Sequence, residues 1–260
     1  MIKKKIKRVP FVSSFYHFLI FILNRFKELF LYLFFIRDFV YFKKNNKKIK
    51  DNRFELSWYD RYPCLYDKQK NTDFNSHYIY HPAWAARILS ILKPDKHIDI
   101  GSILDFSTII SAFIKVDFYD YRPAKVDLDN LYSGQADLTN LLFEDNSVES
   151  LSCMHTIEHI GLGRYGDPID PQGDLKAINE LKRVVAKGGT LLFVVPVGLP
   201  KVMFNAHRIY SYEQIMDYFS GFFLKEFSLI TDNQDFIRYA DVSLVKKQKY
   251  GCGCFWFIKK

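Results

Sequence analysis

The sequence predicts an α/β protein: a doubly wound, mostly parallel sheet with an apolar, basic helical arm at its N-terminus. Three observations lead there. From about residue 80, short apolar runs alternate with stretches of helical period, the signature of βα units. Each run is followed by a short polar segment rich in Gly, Asp or Pro, where strands end. The first 50 residues differ in composition: they hold 13 Lys and Arg against only Glu28 and Asp38, so the net charge of +8 resides in this arm and the remainder is slightly acidic.

A chain of 260 residues suffices for one sizeable core with an appendage. Confinement of the basic charge to the arm gives no electrostatic reason to expect a nucleic-acid partner. The four cysteines form no C-x-x-C pair, which fits reduced thiols in a cytoplasmic protein. Cys252 and Cys254, in "GCGCFWFI", read as strand rather than metal site.

The arm, "FYHFLIFILNRFKELFLYLFFIRDFVYF", is apolar but interrupted by Asn24, Arg25, Lys27 and Glu28, too polar a centre for a spanning helix. No small-residue cleavage site follows, so a signal peptide fits poorly. Lysine clusters, "KKKIKR" before and "KKNNKKIK" after, predict one or two basic amphipathic helices lying on an anionic membrane surface, the inner face of the membrane for a cytoplasmic protein. A helical hairpin packed on the main domain is the alternative. Residues 1–50 form the arm, 51–77 a linker and lead-in, and 78–260 the main domain, with 43–53 reading as a charged linker.

Within the main domain, "HPAWAARILSILKP" has helical spacing and ends at Pro94. "KHIDI" and "KVDFYD" are strands separated by the helical "DFSTIISAFI". "SVESLSC" is a further strand. "GDLKAINELKRVVAKGG" is an amphipathic helix expected to stop at Gly188-Gly189, ahead of the buried strand "TLLFVVPV". Ligands of such sheets bind beyond the carboxyl ends of the strands. Three acids fall there: Asp99, Asp120 and Asp137. An acid at the end of the second strand can take both ribose hydroxyls, and one on the next loop can receive a purine amine. Gly101 permits close backbone approach.

In order, "HIDIGS", "VDFYD", "GQADLTNLLFEDNSVESLSCMHTIEHIG" and "ELKRVVAKGGTLLFVVPV" resemble a class I S-adenosylmethionine-dependent methyltransferase, over roughly residues 78–260. The resemblance implies a Rossmann-like methyltransferase fold and S-adenosylmethionine as cofactor. It places Asp99, Gly101 and Ser102 in the first turn, Asp120 at the ribose and Asp137 near the adenine. "HTIEHIGLGRYGDPIDP" and "FNAHRIYS" resemble one uncharacterised group of that superfamily, domain of unknown function 268. One departure stands out: the glycine-rich turn reads "GSILDF", keeping only Gly101 and placing Ile103, Leu104 and Asp105 where further glycines are usual.

"HTIEH" also matches the H-x-x-E-H pattern of inverted zinc proteases. That reading needs His155 and His159 on a sustained helix, whereas Gly161 and Gly163 follow at once, so no zinc is expected from this motif. After the fourth strand, His155, Glu158 and His159 can instead supply a general base or hydrogen bonds to an acceptor, or simply order the loop. "GLGRYGDPIDPQGD" reads as a shaped lid bearing Arg164, Tyr165, Asp167 and Asp170. In "MFNAHRIYS", His207 is a second candidate base, Asn205 a polar contact, and Arg208 either a carboxylate or phosphate clamp or half of a buried ion pair with a loop acid.

The resemblance implies methyl transfer to oxygen or nitrogen of a small polar acceptor, with a sugar or lipid-linked glycan precursor as the expected class. A methyltransferase-like binding protein without chemistry is the alternative, motivated by the "GSILDF" turn. A metal-dependent hydrolase rests on "HTIEH" alone.

Overall fold

The computed structural model describes residues 10–49 and 53–260, and divides the chain into two units, Met1–Asp73 and Phe74–Lys260. The lysine cluster at residues 3–8 and Lys50 lie outside the described residues.

In the first unit a single helix, α1, runs through Pro10–Ile49. Of the one or two helices expected, the structure has one, and residues 43–49 of the expected linker continue it: "KKNNKKI" contains no Pro or Gly to stop the turn. The helix is not amphipathic as expected, because apolar side chains occupy every side. One side packs on residues 53–73, where Trp58 meets the rings of Phe35 and Phe39 and Tyr66 donates to Glu28. The other leaves Phe18, Leu23, Phe26, Phe30, Leu33 and Tyr41 exposed. No helix among the described residues is long and apolar enough to cross a membrane.

In the second unit the strands are β1 (Lys96–Ile100), β2 (Lys115–Asp120), β3 (Leu131–Gln135), β4 (Val148–Met154), β5 (Val185–Val197), β6 (Lys201–Met203), β7 (His207–Ile209), β8 (Phe222–Ile230), β9 (Phe236–Ile237) and β10 (Gly251–Lys259). The helices are α2 (Ser76–Leu92), α3 (Leu104–Ile110), α4 (Gly173–Val184) and α5 (Tyr212–Tyr218). The main sheet runs β3-β2-β1-β4-β5-β10-β8-β9, with β6 and β7 forming a separate ribbon. The strands from β3 through β5 are parallel; β10 runs antiparallel between β5 and β8.

Alternation along β5 builds both faces of the core. Leu191, Phe193, Val195 and Val197 join the layer covered by α4 and α5, while Leu192 and Val194 join the layer under α2 and α3. The expected helix stop at Gly188-Gly189 is displaced. Helix α4 ends at Val184, and β5 starts immediately, pairing Val185 with Val148 before a bulge brings Thr190 opposite Ser150. Gly188, at φ 76°, turns that bulge instead of capping a helix. The carbonyls at the helix end receive the Lys259 ammonium from β10, which donates to Lys182, Arg183 and Val185. The chain moves outward from β1 to β2 and β3, then returns to β4 on the other side of β1. This reversal is the switch point at which a ligand crevice opens.

Candidate functional site

Beneath the crevice lies a buried polar network. Asp99, fully buried on β1, accepts from the hydroxyls of Ser102 at 2.5 Å, Ser152 at 2.6 Å, and Ser107. Ser152 Oγ spends its proton on Asp99, so it accepts from His97 Nε2 at 2.9 Å. His97 Nδ1 is then left to accept from Ser150 at 2.8 Å. The ring is neutral, and burial pushes it down to about 3. Burial also raises the Asp99 carboxyl to about 6, against the three hydroxyls. Asp99 and Ser102 therefore tie β1, α3 and β4 together below the crevice and do not line it. The expectation of direct cofactor contact is corrected for both, since their polar atoms are turned toward one another and, for Ser102, toward the Met154 amide.

The cleft above has a volume of about 250 Å³. Gly101, Asp120 and Asp137 line it, as do Thr156, His155 and His159. Gly101, at φ 69°, sits against Thr156; a Cβ there would lie 2.6 Å from Thr156 Cγ2, and the Thr156 hydroxyl donates to the Gly101 carbonyl. Asp120 ends β2 half-buried, with one oxygen accepting from the Arg122 amide at 2.7 Å. Asp137 closes a turn on Thr139 with one oxygen. Ile103, Leu104 and Asp105 do not line the cleft. Ile103 packs into the core under α2, and Leu104 and Asp105 begin α3. The bulky "GSILDF" turn thus leaves the cleft between Gly101, Asp120 and Asp137 open. Asp120, at the end of β2, and Asp137, on the following loop, bring two carboxylates to the lining, a donor set suited to hydroxyl and amine groups such as those of an adenosine.

"HTIEH" forms a single 3₁₀ turn, Ile157–His159, rather than a helix. His155 has φ 56°, a left-handed conformation unusual for a side chain of its size, and is held there by its Nδ1 donating to Glu158 at 2.7 Å. Its Nε2 is buried without a partner, as are Glu158 Oε2 and His207 Nε2. His159 donates from Nδ1 to the Ala206 carbonyl at 2.6 Å, with Arg164 Nη1 3.3 Å from the same nitrogen; its Nε2 lies 3.8 Å from Glu158 Oε1, and the residue lines the cleft. His77 stacks on His155 at 5.3 Å and on Tyr250, and His81 meets His155 edge-on. Burial, then His155, pushes His77 down to about 4, and burial holds His81 well below its ordinary value.

The lid residues divide. Tyr165 lies between the guanidinium groups of Arg122 and Arg164, 4.6 and 5.0 Å from its ring, and against His159. Asp167 lines the cleft, but its oxygens take the amides of Gly161, Gly163 and Tyr165, which shapes the loop. Arg208 is not free to clamp a substrate: buried, it donates to the Ile160 and Pro171 carbonyls and pairs with Asp174 at 3.5 Å. The predicted ion pair is the arrangement found, with the acid on α4. Asn205 is exposed and, like His207, is not part of the cleft lining. Burial lowers the His207 pKa. Thr156, Arg122, His77 and Tyr250 were not legible as site residues. Thr156 lies inside "HTIEH" and Arg122 just past "VDFYD", whereas His77 and Tyr250 arrive from opposite ends of the domain.

Residues 142–250 match a family described as Caenorhabditis protein of unknown function, DUF268. A comparison with curated proteins finds no match. Among solved structures the chain resembles the MccD protein, at 16% identity and a TM-score of 0.50, covering 70% of this chain and 97% of that one. It also resembles a TehB-like SAM-dependent methyltransferase from Corynebacterium glutamicum (16% identity, TM-score 0.48, 70% and 89% covered) and the putative methyltransferase bound to Trm112 from Haloferax volcanii (15%, 0.45, 69% and 97%). The chain shares its fold with the MccD protein, a mostly parallel sheet with flanking helices.

Proposed function

We propose that the chain transfers a methyl group from S-adenosylmethionine to oxygen or nitrogen of a small polar acceptor. The observation that carries this reading is the cleft at the switch point, where Asp120 and Asp137 flank an opening that also admits His159. S-adenosylmethionine would supply an electrophilic methyl group. Asp120 would hold the ribose hydroxyls and Asp137 the adenine amine. His159, its tautomer fixed by the Ala206 carbonyl, presents Nε2 as a base for an acceptor hydroxyl or ammonium. Tyr165, gripped by Arg122 and Arg164, forms the cover that excludes water. Asp167 and Arg208 act on the loop rather than on the acceptor. Titration calorimetry with S-adenosylmethionine and S-adenosylhomocysteine tests the reading: binding of both is expected, and binding of neither overturns it.

A sugar or lipid-linked glycan precursor is the acceptor class we propose, with the arm resting on an anionic membrane surface. The exposed row from Phe18 to Tyr41 and the cluster Lys43, Lys44, Lys47 and Lys48 support that placement. Each lysine contributes roughly 1 kcal/mol near acidic lipid. Full-length protein is therefore expected to co-sediment with phosphatidylserine vesicles, to release in high salt, and to stay in the supernatant with neutral lipid. Exchange of Phe26 and Phe30 for Glu is expected to abolish sedimentation. Wild-type protein that ignores acidic vesicles would rule the arm's membrane role out.

A further inference from the structure

We propose that His77, His155 and Cys252 form a zinc site in the wall of the cleft. Among the described residues, their donor atoms all lie within 4.8 Å of one another, and all three residues are buried. They come from elements remote in sequence: the first turn of α2, the residue following β4, and β10. This site does not depend on the methyl-transfer reading, and it is not the paired-histidine site that "HTIEH" suggests, because His159 is not among its donors.

The hydrogen bonds around the cluster select ligand tautomers. Glu158 takes the Nδ1 proton of His155, leaving Nε2 as a lone pair, buried and without a partner. A carboxylate behind a histidine is the arrangement that orients a metal-bound imidazole. An orphaned nitrogen sealed from solvent is costly unless something accepts its lone pair. His77 is sandwiched in a stack with His155 and Tyr250, its ring 5.3 Å from that of His155 with the planes 14° apart. The donor set of two imidazoles and one sulfur suits zinc better than magnesium or calcium, which take oxygen. Ligand atoms sharing a tetrahedral zinc stand about 3.3–3.6 Å apart, from bonds of roughly 2.0–2.3 Å. The cluster reaches that by closing about an ångström. Cys252 would bind as thiolate, releasing its proton to solvent. Three protein ligands leave a fourth position, and His155 also lines the cleft, so the ion would adjoin bound substrate.

The test uses full-length protein stripped with chelator and titrated with zinc, then with cobalt as a spectroscopic probe. One equivalent of either ion is expected, and cobalt should give a thiolate charge-transfer band. Cys252→Ser should abolish the band and weaken binding more than 100-fold. His77→Gln and His155→Ala should weaken it comparably. Glu158→Gln, which touches the ion only through His155, should weaken it about 10- to 100-fold and keep the band. His159→Ala should bind like wild type. If Cys252→Ser does not fold, His77→Gln carries the test, since its side chain lies in a first helical turn and its fold is checked by circular dichroism. Failure of wild type to bind either ion, or unchanged binding in a folded His77→Gln, overturns the site. Loss in His159→Ala together with retention in Cys252→Ser would overturn it in favour of the paired-histidine motif. S-adenosylhomocysteine binding measured on the same samples separates this outcome from the methyl-transfer reading.

Discussion

Asp120→Ala is expected to weaken S-adenosylhomocysteine binding roughly 10- to 150-fold, with the thermal midpoint nearly unchanged. The carboxylate ends β2 at the mouth of the cleft, where the chain reverses across the sheet. Hydrogen bonds between a charged group and ligand hydroxyls are worth about 1.5–3 kcal/mol, and each 1.4 kcal/mol is tenfold in affinity. In the protein itself the side chain has a smaller task, accepting the Arg122 amide in an exposed turn. Its loss should therefore register in binding rather than in folding. Asp120→Asn should fall between, keeping an acceptor while losing the charge. Calorimetry on the folded variants decides: affinity equal to wild type would remove Asp120 from the ribose role, while a matching loss of stability would make it a turn residue.

How much of this was legible in the sequence depends on the range of the interactions involved. Strands such as "KHIDI" and "TLLFVVPV" are buried on both faces, so their continuous apolar runs reveal them. The acids at strand ends follow from strand positions alone, which is why Asp120 and Asp137 were found. Asp99 shares the same position in the pattern, but whether a carboxylate points up to the cleft or down among serines is set by Ser107 and Ser152, on other elements. The stop at Gly188-Gly189 was misread because local propensity favours a glycine cap, whereas β4 pairs Val185 first and Lys259, at the far end of the chain, supplies the cap. Arg208 carried both possibilities; only the fold brings Asp174 and the loop carbonyls to it. The histidine cluster was invisible for the same reason. His77, His155 and Cys252 are 175 positions apart at their extremes and meet only when β10 inserts beside β5 and α2 covers that face.

Asp99→Asn is expected to flatten the pH dependence of stability between about pH 4 and pH 6. Burial raises the Asp99 carboxyl from its ordinary 3.8 to about 6, because the charged form loses more water than Ser102, Ser107 and Ser152 replace. A carboxyl that holds its proton more tightly folded than unfolded contributes stability fully present below its unfolded value, and that contribution is lost as pH rises through the folded value. A gap of two units corresponds to on the order of 3 kcal/mol. Wild type should therefore lose stability relative to Asp99→Asn as pH rises across this window, because the amide has no proton to give up. His97, held down to about 3, stays neutral throughout and does not blur the comparison. Urea unfolding of both proteins at intervals from pH 4 to pH 7 measures the difference. Parallel curves would mean that the three hydroxyls compensate the buried charge in full. Asp99→Ala is the harsher exchange, stranding three buried hydroxyls and the His97 chain behind them. It should destabilise at every pH, by about 2–4 kcal/mol for groups left without partners. In either variant, S-adenosylhomocysteine affinity at pH 7 should stay near that of wild type so long as the protein is folded, because Asp99 lies under the cleft. The contrast with Asp120→Ala follows from where the two side chains sit: two acids on neighbouring strands, one holding the sheet together from within and the other lining the cleft.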